Sequence, residues 1–207
     1  LATETNNLFR VAVTIENISG ADIANLLYRR TFDWDTSPTP FDEFVTIGGT
    51  AGASAVLGAN DNGFCSSNPL ETCSPNFGNS GDFTAAGPND IGANFDFDFG
   101  ALLTGESYTF EIYYGGADNR NAALSALASV GAEVYSLGWS GSDVNQDGFA
   151  DDDGAITPTY IFGFSGVGGT VIIDPDDPVA VPAPASMLLF AGGLVALFAR
   201  RKRYAKL

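Results

Sequence analysis

The chain has 207 residues, 25 acidic and 9 basic side chains, no histidine and a formal net charge of −16. That length suits one domain with an appendage and is long enough to bury a core. The missing histidine excludes a Ser-His-Asp triad, a Cys-His dyad and any imidazole-liganded metal; the shortage of cations excludes nucleic-acid binding; and 45% hydrophobic with 12% aromatic residues excludes general disorder.

Leu8 to Glu16 alternates with period two. Phe9, Val11, Val13 and Ile15 fall on one face and Arg10, Thr14 and Glu16 on the other, which predicts a half-buried strand. Asn17-Ile18-Ser19-Gly20 supplies a turn. Alternation returns from Leu26 to Trp34, ended by Pro38 and Pro40, and Phe44-Val45-Thr46-Ile47 reads as a third, short strand.

Residues 48–94 lose periodicity to Gly, Ala, Ser, Asn and Pro. A loop this long is unusual in a compact domain, so it is either a functional excursion or hides short strands, such as Ser54 to Leu57. Cys65 and Cys73 sit here without Cys-x-x-Cys redox spacing; in an oxidising compartment they pair, in a reducing one they stay free thiols.

Order resumes at Asn94, where Phe95, Phe97 and Phe99 alternate with Asn94, Asp96 and Asp98. Tyr108 to Tyr114 is a further strand. Residues 121–130 form the one helix candidate, with Ala122, Leu124, Ala126, Leu127 and Val130 as its apolar stripe and Gly131 as its cap. Glu133 to Trp139, Thr159 to Phe164 and the short Val171-Ile172-Ile173 complete a count of seven or eight strands. The expected fold is all-β, an antiparallel β-sandwich with one short helix. Its aromatic rows are read as packed sheet faces in preference to a ligand platform.

Few constellations suggest chemistry. Asp143, Asn145 and Asp147 occupy positions one, three and five of a loop that has Gly148 at six, the Phe149 carbonyl at seven and Asp151 at nine. Calcium takes six to eight hard oxygen ligands, and alternate residues of a tight turn can aim theirs inward. Gly154 stands where a bidentate acid is usual, so Asp151 or Asp153 has to substitute. The expectation is a structural Ca²⁺; the competing reading is a solvated acidic turn. Asp33 with Asp35, and Asp96 with Asp98, are acid pairs at a spacing a glycosidase could use, but such pairs are common on acidic sheets and no hydrolase is expected. Arg29 and Arg30 are read as their partners. The glycine-rich run from Gly163 to Gly169 has neither a lysine nor a helix after it, which argues against a phosphate loop.

Charge is unevenly placed. Residues 1–199 hold four basic against 25 acidic side chains, a net −21, and the last eight positions carry +5. Ala185 to Ala199 is uncharged and spans roughly 22 Å as a helix, short for a bilayer. Arg200-Arg201-Lys202-Arg203 follows at once, as a cytoplasmic stop would. A buried C-terminal helix is the alternative. The chain starts at Leu1, which is read as a removed signal peptide or a fragment end.

Val181-Pro182-Ala183-Pro184 stands ahead of the apolar stretch and the basic cluster. This three-part tail resembles a PEP-CTERM sorting signal, with Ala183 in place of the usual glutamate. The resemblance implies a bacterial protein that is exported, held in the inner membrane and processed near the proline motif by an exosortase. The prolines stop the helix and leave an extended segment at the membrane face. The expected organisation is a β-domain over residues 1–174, a linker with the motif over 175–184, a transmembrane helix over 185–199 and a basic tail over 200–207. The expected role is a non-enzymatic surface or extracellular-matrix protein. The alternative is a membrane-anchored accessory subunit that keeps its tail, with lipid and membrane-complex proteins as partners.

Overall fold

The structure, a computed structural model, describes residues 2–175. The expectations for the sorting motif, the transmembrane helix and the basic tail lie outside the described residues.

Among the described residues, ten strands, one α-helix and a 3₁₀ turn (Thr50–Gly52) make up the body: β1 (Ala2–Thr3), β2 (Leu8–Glu16), β3 (Leu27–Asp33), β4 (Glu43–Gly48), β5 (Val56–Asn60), β6 (Phe83–Asn89), β7 (Gly92–Asp98), β8 (Ser107–Ala117), α1 (Arg120–Ser129), β9 (Val134–Ser140) and β10 (Thr159–Ser165). A seven-stranded sheet has the order β1-β2-β8-β10-β9-β4-β6, and a three-stranded sheet the order β3-β7-β5. All pairings are antiparallel.

The two sheets meet over the alternating aromatics. Phe95 and Phe97 of β7 face Phe162 and Phe164 of β10, with ring centroids of Phe97 and Phe164 4.9 Å apart. Phe110 and Ile112 of β8 and Val45 and Ile47 of β4 fill the same layer. Aromatic pairs at this distance add to the energy of simple burial. The aromatic rows are therefore core, as alternation requires. Trp34 closes one end, and only a glycine at 138 admits it: a Cβ there would stand 2.4 Å from the indole Cδ2.

A second core lies on the other face of the large sheet. Leu8, Phe44, Tyr113, Leu137, Trp139 and Ile161 pack with Ala123, Ala126 and Leu127 of α1. The middle strands are thus covered on both faces, and all six residues of β4 are buried. Asn119 caps α1 by accepting from the Ala122 N–H (3.0 Å), and Gly131 takes φ +66° at its end. The buried stripe runs through Ala123; Ala122 is only half-buried.

Of the two readings of residues 48–94, hidden strands hold: β5, beside the expected Ser54 to Leu57, β6 and the start of β7 lie there. β5 and β6 are short and rich in Ala and Gly, and β6 contains Pro88, so they show no alternation to read. Val171 to Ile173 is not a strand. Ile172 docks on the second core instead, donating its N–H to the Ala132 carbonyl (2.9 Å).

Candidate functional site

The aspartate loop is built from side-chain turns. The Asp143 carboxylate accepts from the N–H groups of Asp147 (3.1 Å) and Gly148 (3.0 Å), and Asn145 Oδ1 accepts from Asp147 (3.0 Å). Asp147 Oδ1 accepts from Phe149 N–H (3.0 Å). Gly148 makes the sharp turn at φ +85°, as the spacing anticipates. Asp151 Oδ2 reaches back to the Val144 N–H (2.7 Å), and Asp153 pairs with Arg120. Phe149 bridges to Ala86 at the edge of β6, so the loop is pinned to the sheet. Among the described residues no group of three or more acidic or cysteine side chains is placed to hold a metal ion. Asp143, Asp147, Asp151 and Asp153 thus serve the loop's own turns and one ion pair.

Cys65 and Cys73 form a disulfide with Cα atoms 5.7 Å apart. The loop it closes is held from below by Arg29. This guanidinium grips Asp96 with two bonds (2.6 and 2.9 Å) and donates to the carbonyls of Ser66 (3.2 Å), Asn68 (3.0 Å) and Glu71 (2.7 Å). Its side chain is 3% exposed, and five bonds match its five donors. Arg29 is therefore the expected partner of Asp96, but it also organises the disulfide loop. Among the described residues Arg30 does not pair with an acid. It donates to the Tyr114 hydroxyl (2.9 Å) and lies 6.0 Å from that ring's centroid. A shallow hollow lined by Arg29, Leu57, Leu70, Glu71 and Asp96 opens at this place, and Leu57 and Leu70 are exposed.

Asp61 anchors the next stretch. It is wholly buried and accepts from the N–H groups of Asn76 (2.6 Å), Phe77 (3.2 Å) and Asn79 (2.9 Å), and from the Asn79 amide (2.8 Å). Glu133 does the same for the glycine-rich run, accepting from Gly166 (3.1 Å), Val167 (2.9 Å) and Gly169 (2.8 Å). Those amides point at an internal carboxylate, not at an external anion. Neither acid stands out in the sequence. The nearest signal is the Asn and Gly around Asp61, which marks a turn but not its anchor.

The acid pairs separate. Asp96 belongs to Arg29, and Asp98 accepts from Gly100 N–H (2.8 Å) and the Asn25 amide (2.8 Å). Asp33 lies near Asp35 and Asp90, and burial followed by repulsion from these neighbours holds its carboxyl above the usual range. Glu43 is buried in β4, where desolvation raises its carboxyl although Thr36 N–H (3.1 Å) and Phe41 N–H (2.7 Å) donate to it. Glu111 is shifted the other way, chiefly because the Tyr113 hydroxyl donates to it at 2.5 Å, and burial pushes Tyr113 itself up to about 12.

No helix among the described residues is long and apolar enough to cross a membrane. No curated protein and no solved structure matches the chain. One family model does match, at residues 180–203, and its span takes in Val181 to Pro184 and Arg200 to Arg203. A signal of this kind marks an exported protein that an exosortase-type enzyme processes. The chain carries a PEP-CTERM protein-sorting motif at its C-terminal end.

Proposed function

We propose that this is a non-enzymatic protein of the cell surface or extracellular matrix, delivered there by its C-terminal signal. The observation that carries the reading is the sorting motif at residues 180–203. The body supports it. Its four arginines all have internal work: Arg10 with Glu4 and Glu111, Arg29 with Asp96, Arg30 with Tyr114 and Arg120 with Asp153. Of the two acid pairs, Asp96 is engaged by Arg29 and Asp98 by the Gly100 N–H and the Asn25 amide. What is left outside is an acidic surface with exposed apolar side chains such as Leu57 and Leu70, which suits contact with matrix or surface proteins.

The test is cell fractionation of the native protein beside a Pro182→Ala, Pro184→Ala variant. The wild type is expected at the cell surface or in the medium, and the variant in the inner membrane. Equal release of both would defeat the proposal. The basic cluster Arg200 to Arg203 favours a second reading, an anchored accessory subunit that retains its tail and contacts lipid. Membrane retention of the wild type together with co-purifying membrane proteins would select it.

The Ca²⁺ reading of Asp143, Asn145, Asp147, Phe149, Asp151 and Asp153 is likewise a proposal, resting on ligand spacing and the turn at Gly148. Isothermal titration with calcium chloride tests it. Binding that Asp143→Ala with Asp147→Ala removes supports it, and binding unchanged by that double variant refutes it.

A further inference from the structure

At the end of the sandwich that Trp34 closes, the surface carries an apolar hollow. Phe32, Trp34 and Tyr160 line it, with Asp33, Asp35 and Thr36 beside them. Its aromatic wall is held firmly. Phe32 stacks on Phe162, with centroids 4.8 Å apart, and meets Trp34 edge-on at 4.5 Å. Trp34 donates its Nε1–H to Ser136 Oγ (3.0 Å), so its one polar atom is already bonded. Tyr160 is 41% exposed. A second hollow adjoins the first at Tyr160 and is lined by Asn7, Gly116, Ala117, Asp118 and Pro158.

The charge around Tyr160 is one-sided. Neither hollow is lined by a lysine or arginine. Asp33, Asp35 and Asp118 are exposed, and among the described residues none of them, nor Asp90, has an ion pair. Burial, and then repulsion from Asp35 and Asp90, hold the Asp33 carboxyl above its usual range, so the local negative charge is uncompensated. Unpaired carboxylates beside an aromatic wall suit a flat, weakly hydrated cation. Among the described residues no three acids are placed to hold a metal ion. A guanidinium matches the wall and the acids together: it stacks on aromatic faces and offers five donors in a planar fork. An ammonium is compact and strongly hydrated, and gains less from such a wall.

We propose that this hollow binds an arginine side chain presented by a partner protein, its guanidinium on the Tyr160 ring and its N–H groups toward Asp33 and Asp35. The choice of occupant rests on charge complementarity. The four arginines of the body are engaged within it, so the arginine comes from outside the body. The second hollow, lined in part by the small residues Gly116 and Ala117, gives room to the residues that flank that arginine. General attraction between an acidic body and any basic chain is a different effect. At physiological ionic strength the Debye length is about 8 Å, so distant charges are screened while contact pairing in the hollow persists. The inference concerns the body alone and is independent of tail processing.

The test is an NMR titration of the full chain in nonionic detergent at physiological ionic strength. Two capped glycine peptides are compared, one with a central arginine and one with citrulline, its uncharged counterpart of the same shape. The arginine peptide is expected to bind, and the citrulline peptide to bind roughly tenfold more weakly. Asp33→Asn with Asp35→Asn is expected to weaken the arginine peptide roughly tenfold, and Tyr160→Ala roughly threefold, whereas Tyr160→Phe keeps wild-type binding. Glu16→Gln with Glu71→Gln removes the same charge from exposed positions elsewhere and is expected to leave binding within about twofold. Circular dichroism verifies that each variant is folded. No binding of the arginine peptide at millimolar concentration overturns the proposal. Equal binding of the citrulline peptide overturns it too, in favour of an uncharged partner. So does a Glu16/Glu71 variant that loses as much as the Asp33/Asp35 variant, since the effect is then net charge alone, or wild-type affinity in Tyr160→Ala.

Discussion

Two aperiodic loops of similar composition are fixed by opposite means. Residues 61–81 are tied from the inside: Asp61 and Arg29 are both buried, Asp61 accepting from the backbone of residues 76–79 and Arg29 donating three bonds to loop carbonyls while Asp96 holds it, with the Cys65–Cys73 bond across them. Residues 143–154 are tied at the surface: Asp143, Asn145 and Asp147 fold the chain through exposed side-chain turns. The first loop turns on one buried acid, Asp61, whereas the second keeps its turn-forming acids in water. A buried carboxylate is thus a strut, and an exposed run of them is at most a place where a cation could bind.

The contrast can be broken from the inside outwards. Arg29→Met should have the largest effect, about 3–5 kcal/mol, because it leaves Asp96 and three carbonyls without their donor; urea unfolding measures it. Asp61→Ala should cost about 3 kcal/mol for the stranded amides of residues 76–79, read as the same shift in midpoint. Cys65→Ser with Cys73→Ser should cost roughly 2.5 kcal/mol by loop entropy, less if the Arg29 clamp already orders the loop. In the surface loop, Asp143→Ala should cost under about 1 kcal/mol without calcium, in keeping with an exposed turn. An effect at Asp143 equal to that at Asp61 would erase the comparison.

Glu43 sharpens it through pH. Its folded carboxyl is raised above the unfolded value, so the folded state binds more protons and stability falls as pH rises through that window. Glu43→Gln keeps Oε1 for the Thr36 and Phe41 amides and removes the charge. Its melting temperature relative to wild type should therefore climb between pH 4 and pH 7. A difference that is flat with pH would mean that burial does not penalise this carboxylate.

Much of the fold was legible because alternation reports burial on one face. β2 was read to its end residues, and the rows of Phe95, Phe97, Phe110, Phe162 and Phe164 went to the core as expected. β5 is legible only as the short strand expected at Ser54 to Leu57, and β6 not at all, since small residues with Gly87 and Pro88 carry no period. The disulfide was legible as a pairing, but Arg29 as its clamp was not, because the contact spans about forty residues of chain. The struts Asp61, which is buried, and Glu133, which is half-buried, look in sequence like ordinary surface acids. The sorting motif was the most legible feature of all, since its three parts are contiguous and differ sharply in chemistry.

The central claim, that this is an exported protein processed at its sorting signal, is tested most directly by intact-mass spectrometry of the native protein from its own cells. A mass that ends between Pro182 and Ala185 is the predicted result. A mass that includes Lys206 and Leu207 in the mature, exported protein would contradict it.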